Sequence, residues 1–175
     1  GIRHVLLKKQ CLETLTAEAD GTFDLIVCSG VLHHLAAPCT GLRALAGVLR
    51  QRGLLYTMVY ATEGRGSLYQ LRALMDAAKW GKHSLEQRIA DFKALYAALP
   101  TGHPFRRLPQ GDLQTDNGIV DFVLNAHDCS FTATEFDAFL SSAGLQPVCF
   151  DLLSRLRDEA NIPGAEHVPS GTLAR

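Results

Sequence analysis

The sequence has no Cys-x-x-Cys pair, no long apolar run and no cluster of basic residues, and each lack removes a class of function. Its five cysteines, at positions 11, 28, 39, 129 and 149, are odd in number and fit no zinc-ligand spacing, so no metal site is expected. Cys28 sits in an apolar run, where a free thiol behaves as a small hydrophobe. A reduced, cytoplasmic protein is expected. No apolar stretch approaches the roughly 20 residues that a membrane-spanning helix needs. No secretory signal opens the chain, and a first residue of Gly1 rather than Met reads as a cut or processed start. The 17 basic and 18 acidic residues give a formal net charge of −1. Without a Lys/Arg run there is no clear surface for sequence-independent nucleic-acid binding.

What is present suits one globular domain: 175 residues, 47% of them hydrophobic. Val5-Leu6-Leu7 is a candidate strand. Residues 11–19 have weak helical or loop character, and Asp20-Gly21 marks a turn. Phe23 to Cys28 is a nearly continuous, partly β-branched apolar run, the pattern of a strand buried on both faces of a parallel sheet. Ser29-Gly30 breaks it. Pro38 suits the first turn of a helix carrying Leu42, Leu45, Ala46 and Leu49 on one stripe. After Gly53, Leu54 to Tyr60 reads as a second buried strand. Strand, helix and strand at this spacing predict a parallel crossover.

Glu63-Gly64-Arg65-Gly66 reads as a flexible break before an amphipathic helix with Leu68, Leu71, Leu74, Met75 and Ala78. Ser84 with Gln87 resembles a capping box opening a helix striped by Leu85, Ile89, Phe92, Tyr96 and Leu99, which Pro100 stops. Residues 101–130 show little periodicity outside Ile119 to Leu124 and read as an irregular insertion. Thr132 with Glu135 opens a further helix carrying Phe136, Phe139 and Leu140, closed by Gly144. Leu145 to Phe150 reads as a third strong strand. Residues 152–175 form a polar tail.

The stretch Phe23-Asp24-Leu25-Ile26-Val27-Cys28-Ser29-Gly30-Val31-Leu32-His33-His34-Leu35 resembles the fourth strand and following turn of class I S-adenosylmethionine-dependent methyltransferases. Residues 41–49 resemble the next helix, Gly53-Leu54-Leu55 the start of strand five, and Phe131 to Leu145 the late helix and sixth strand. The resemblance implies an α/β, Rossmann-like sheet that is incomplete. It would hold strands three to six within residues 1–151, with a helical or irregular insertion after strand five. Gly64-Arg65, Tyr69 and Val120-Asp121 are similar to stretches in a bacterial group of such domains fused to tetratricopeptide repeats. Two departures stand out. The glycine-rich turn after strand one and the acidic residue ending strand two are absent, and Gln51-Arg52 replaces the usual Pro-Gly. Gly64-Arg65-Gly66 follows the wrong strand to substitute.

In open α/β sheets, ligands lie beyond the carboxyl ends of the strands. The resemblance therefore implies S-adenosylmethionine as cofactor, with Cys28, Ser29, Gly30 and Val31 at its methionine end. Cys11 and Leu12 would stand near its adenine, at the end of the presumed third strand. Methyl transfer mainly requires alignment and exclusion of water. His33 or His34 would orient or deprotonate the acceptor, or else cap the helix and pack against the sheet. Tyr60, Arg65 and Tyr69 follow strand five, where the acceptor should enter. With Asp121, Asn125, His127 and Asp128 they are candidates for its pocket, or for packing and solvated loop groups. The acceptor itself is not named by any motif. Two other readings are weighed against methyl transfer. One is a truncated fold used for association, whose exposed sheet edge invites pairing with another chain. The other is a nicotinamide-dependent enzyme, for which the dinucleotide glycine fingerprint is missing.

Overall fold

The computed structural model of the protein describes residues 4–108 and 111–149. Its elements are helices α1 (Ala17–Asp20), α2 (Pro38–Val48), α3 (Thr62–Ala77), α4 (Leu85–Ala98), α5 (Asp116–Phe122) and α6 (Ala133–Ser141), and strands β1 (Phe23–Ser29), β2 (Leu49–Met58), β3 (Tyr60–Ala61) and β4 (Ser130–Phe131). β1 pairs with β2 in parallel, with Leu25 opposite Leu54, Val27 opposite Tyr56 and Ser29 opposite Met58. α2 is the crossover between them, so the strand–helix–strand reading holds. β3 and β4 form a second parallel pair, Tyr60 opposite Ser130 and Ala61 opposite Phe131. The architecture is α/β.

Period-two alternation of β1 and β2 decides where the sheet core sits. Ile26 and Cys28 on β1 and Leu55 on β2 pack with Leu42 and Leu45 of α2 and Phe139 and Leu140 of α6. The opposite face is bare. Leu25 is 60% exposed, Val27 66%, Leu54 55%, Tyr56 49% and Met58 41%. The sequence expectation of a strand buried on both faces is thus corrected. The run is apolar on both sides, but the described residues supply a layer on one side only.

Near the start of β2 the register jumps from Phe23–Leu49 to Leu25–Leu54. The extra residues turn at Arg52, whose φ is 68°. Gly53 is required beside it, because a Cβ there would lie 2.9 Å from the Arg50 carbonyl oxygen and from the Leu49 side chain. Arg50 then reaches back to β1, donating to Asp24 Oδ2 at 2.6 Å and to Thr22 Oγ1 at 3.2 Å.

A second core is helical. Leu68, Leu71 and Met75 of α3, Ile89 and Phe92 of α4, Phe105, and Ile119, Phe122, Val123 and Leu124 enclose one another. Phe105 is fully buried among Phe92, Tyr96 and Phe122, with ring centroids 6.0 to 6.5 Å away. Burying each large apolar side chain of this kind contributes about 1.5–3 kcal/mol.

Several sequence expectations are revised. Val5, Leu6 and Leu7 form no strand and are exposed. Three apolar residues without a ladder partner gain nothing from extension. The adjoining residues are held instead by Asp20, whose carboxylate accepts from Lys8 Nζ at 2.7 Å, Gln10 Nε2 at 3.1 Å and the Thr16 amide at 3.1 Å. The Lys8 hydrogen bond, the Thr16 amide and Gln10 hold its pKa down at about 2. Leu145 to Cys149 are likewise not a strand, and Phe150 lies outside the described residues, as does the tail. The single strand expected to run to Tyr60 is divided at Val59, which releases Tyr60 to pair with Ser130.

Glu63-Gly64-Arg65-Gly66 is no break but the first turn of α3, because Arg65 is anchored by its side chain. Leu74 and Leu85 leave their predicted stripes and are half exposed. The Ser84 box is half formed: Ser84 Oγ accepts from the Gln87 amide, while the Gln87 side chain turns to Asp91. The Thr132–Glu135 box is complete in both directions. The insertion at 101–130 is largely short helical turns, at Pro104–Arg107, Gly111–Gln114 and α5. Its polar spacing hid them, since one or two turns are too short to show a period.

Candidate functional site

The carboxyl end of β1 opens onto a tight turn. Gly30 has φ of +73°, a left-handed conformation that glycine adopts without strain, and its amide donates to the Met58 carbonyl at 3.2 Å. Ser29 and Val31 are exposed, while Cys28 is buried behind them. Burial pushes the Cys28 thiol up, away from the reactive thiolate. The chain then forms one helical turn at Leu32–His34 and enters α2. Cys11 is exposed. Leu12 packs beneath α2, 3.0 Å from the position a Gly41 Cβ would take, next to Leu32 and Leu35. Leu12 therefore sits at the same end of α2 as the β1 turn, though no third strand places it there.

The candidate catalytic and acceptor residues converge more closely. His33 is fully buried, and its ring lies 3.9 Å from the Tyr60 ring and 4.2 Å from that of His34. The Arg65 guanidinium lies 3.7 Å from the Tyr60 centroid and 4.5 Å from that of Phe122, a desolvated cation–π arrangement. Arg65 Nη2 donates to Asp128 Oδ2 at 2.9 Å and to the Phe122 carbonyl at 3.0 Å. Arg72 donates to the same Asp128 oxygen at 2.7 Å and to the Asn125 carbonyl. Asp128 and Arg65 are almost wholly buried, with side chains 1% and 4% exposed. Removing one partner of such a pair costs about 3–5 kcal/mol, because the other charge is left buried alone.

The backbone ties this network to the histidines. The Cys129 amide donates to the His33 carbonyl at 3.0 Å, and Thr62 Oγ1 and Ser130 Oγ share a hydrogen bond at 3.0 Å beside the β3–β4 pair. His34 Nδ1 donates to the His127 carbonyl at 2.9 Å, which turns Nε2 toward Asp121 Oδ1 at 3.7 Å, too far for a hydrogen bond. Tyr69 stands at the margin, with its ring 6.0 Å from the Arg65 guanidinium.

Of the candidate residues read from the sequence, the fold brings His33, His34, Tyr60, Arg65, Asp121 and Asp128 together. Sequence reading missed Arg72, Phe122 and the backbone of Cys129. Arg72 had a signal: it follows Arg65 by seven residues, two turns along the same face of α3. Phe122 and Cys129 had none, since their roles depend on tertiary position.

Burial drives His33 down to about 4, with the neighbouring His34 and Arg65 pushing the same way and Asp128 and Asp121 opposing. The imidazole is therefore neutral near pH 7. It can exchange hydrogen bonds there but is a weak base, unlike the near-neutral titration expected from sequence. Burial raises Tyr60, against the opposing charge of Arg65, so its phenol stays protonated. Among the described residues no group of three or more His, Cys, Asp or Glu side chains is placed to hold a metal ion. No helix among them is long and apolar enough to cross a membrane.

Comparison with known proteins places the family signal at the β1–α2–β2 unit. Residues 5–57 match the profile of the family described as "Methyltransferase domain". An uncharacterized protein of Synechococcus sp. is 29% identical over 136 residues, which cover 74% of this chain. The chain spans about a third (32%) of that relative's length. The segment from Val5 to Thr57, which carries the turn Ser29-Gly30-Val31, is the part of the chain that is similar to methyltransferase domains.

Proposed function

We propose that this domain, within its complete polypeptide, transfers a methyl group from S-adenosylmethionine to an acceptor bound beside Tyr60 and Arg65. The observation that carries the reading is the open turn at the end of β1, inside the segment that matches the methyltransferase family. The residues there suit one side of the cofactor. Ser29 and Val31 are accessible and Gly30 takes a left-handed backbone, so they would hold the methionine end, with Cys28 behind them. Cys11 and Leu12 would face the adenine from the same end of α2. Among the described residues no glycine-rich turn follows a strand to hold the rest. When bound, the cofactor supplies a methyl group already activated on a sulfonium.

The chain's own residues would align the acceptor and keep water out. Tyr60, Arg65, Tyr69, Asp121 and Asp128 line the acceptor side. His33, neutral and buried, would orient a polar acceptor atom, and His34 would stand nearer the solvent. The free cysteines suit a reduced, cytoplasmic setting. The Gly64-Arg65, Tyr69 and Val120-Asp121 stretches favour the sub-group fused to tetratricopeptide repeats. Calorimetric titration of the complete polypeptide with S-adenosylmethionine and S-adenosylhomocysteine is the test. Binding of either supports the reading, and binding of neither overturns it.

A second reading has its own support: the bare face of Leu25, Val27, Leu54, Tyr56 and Met58 beside the edge of β1, which no other strand pairs among the described residues. A fold of this kind would serve as an association module, pairing through that edge. A strictly monomeric, well-folded 175-residue chain in sedimentation would count against it.

A further inference from the structure

Buried polar side-chain atoms normally find a partner. Among the described residues, seven do not: His33 Nδ1 and Nε2, His34 Nε2, Arg65 Nε and Nη1, Tyr69 Oη and Asp128 Oδ1. All seven belong to the cluster around Arg65. The helical core and the sheet core contribute none.

The unused donors are concentrated on Arg65. Its Nε and Nη1 carry N–H groups and no lone pairs, the neutral His33 ring has one N–H and one lone pair, and the phenol can donate or accept. Asp128 Oδ1 accepts, as does His34 Nε2, because Nδ1 carries the proton donated to the His127 carbonyl. Charge is lopsided. Arg65 at 2.9 Å and Arg72 at 2.7 Å share a single oxygen of Asp128, so two guanidiniums face one buried carboxylate. Asp121 does not redress this, because its side chain is 65% exposed and it faces His34 from outside. A water molecule can meet these hydrogen bonds but brings no charge to offset the second guanidinium. A carboxylate brings acceptors only, and one negative charge.

We propose that the Arg65 cluster binds a carboxylate of the methyl acceptor, which makes the substrate class a carboxylic acid. This rests on the reading that the acceptor lies beside Tyr60 and Arg65. The carboxylate is held by the N–H groups of Arg65 that Asp128 and Phe122 leave unused, with the one N–H of the neutral His33 ring as a further donor and the Tyr60 and Phe122 rings as walls. Entry is from the side of His34, whose ring is 13% exposed. The cover there is the non-helical segment 125–127, held by the His34–His127 and His127–Asn125 hydrogen bonds, and it must yield for the ligand to pass while Asp128 keeps Arg65 in place.

Acetate and inorganic phosphate, titrated separately into the protein, test this through the ring-proton NMR resonances of His33 and His34. Acetate is expected to shift both saturably, and Arg65→Met to weaken that response roughly tenfold or more. Asp128→Asn keeps the shape but removes the competing carboxylate, so acetate should bind it more tightly than it binds the wild type. If either variant does not fold, the acetate response of the wild type decides. No saturable response to acetate in the wild type overturns the site, as does weaker binding in Asp128→Asn. Phosphate saturating below acetate overturns the carboxylate assignment. Both titrations use the complete polypeptide, and calorimetry with S-adenosylmethionine on that same sample separates the two readings. Acetate binding without cofactor binding leaves the anion site standing and removes methyl transfer, and the converse removes the anion site alone.

Discussion

The helical core and the sheet core are built from similar amounts of apolar side chain but are finished differently. In the helical core, α3, α4, α5 and the turn at Pro104–Arg107 surround Phe92 and Phe105 on every side. In the sheet core, α2 and α6 cover one face of β1 and β2 and leave five large apolar residues of the other face open. A helix with one apolar stripe can be closed by its neighbours. A strand from a parallel sheet is apolar on both faces and needs two layers. The contrast shows that one half of the molecule is sealed by its own contacts, whereas the other presents a surface shaped for a second layer. The polar cluster of Arg65 lies between them, joined to the sheet side through His33 and to the helical side through Phe122.

Four measurements can break or sharpen this contrast. Phe105→Ala should destabilise the protein most, by about 3–5 kcal/mol in urea unfolding, because a sealed core cannot refill the space. A much smaller loss would mean that the helical core is looser than its burial suggests.

Acid should act next. His33 binds a proton less readily when folded than when unfolded, so the folded state is favoured above pH 6.5. That advantage fades as pH falls from 6.5 through about 4, and the loss reaches about 3 kcal/mol. Unfolding followed across this range should show the slope, and His33→Gln should flatten it. An unchanged slope in that variant would place the acid sensitivity elsewhere. Thr132→Ala removes the capping box of α6, the helix that covers the sheet, and should cost about 1 kcal/mol in thermal unfolding. Val27→Lys on the bare face should change stability by no more than about 0.5 kcal/mol. A larger loss would show that this face is covered after all.

Much of this organisation could be read in the sequence wherever a pattern repeats locally. Phe23 to Cys28 announced a strand, Leu42 and Leu45 a helix, and Thr132 with Glu135 a cap, because each depends on neighbours within a few residues. Long-range outcomes could not be read. Val5 to Leu7 has the composition of a strand, yet only a partner at the ladder makes one. Arg65 between two glycines looked like a break, because its anchor, Asp128, lies 63 residues away along the chain. The site residues were legible by type and by position after a strand, but their convergence was not. Tyr60 meets Ser130, and His33 meets Cys129, only through the β3–β4 pairing.

Arg65 itself has a dynamic consequence. It stands in the first turn of α3 between Gly64 and Gly66, two residues with nothing packed against them. That turn is held by long-range bonds instead, from Thr62 to Ser130 and from Arg65 to Asp128, 63 residues away along the chain. Amide hydrogen exchange in the first two turns of α3 should therefore follow the Arg65–Asp128 bond rather than global unfolding. A helix start of this kind behaves as a local gauge of whether the polar cluster is assembled.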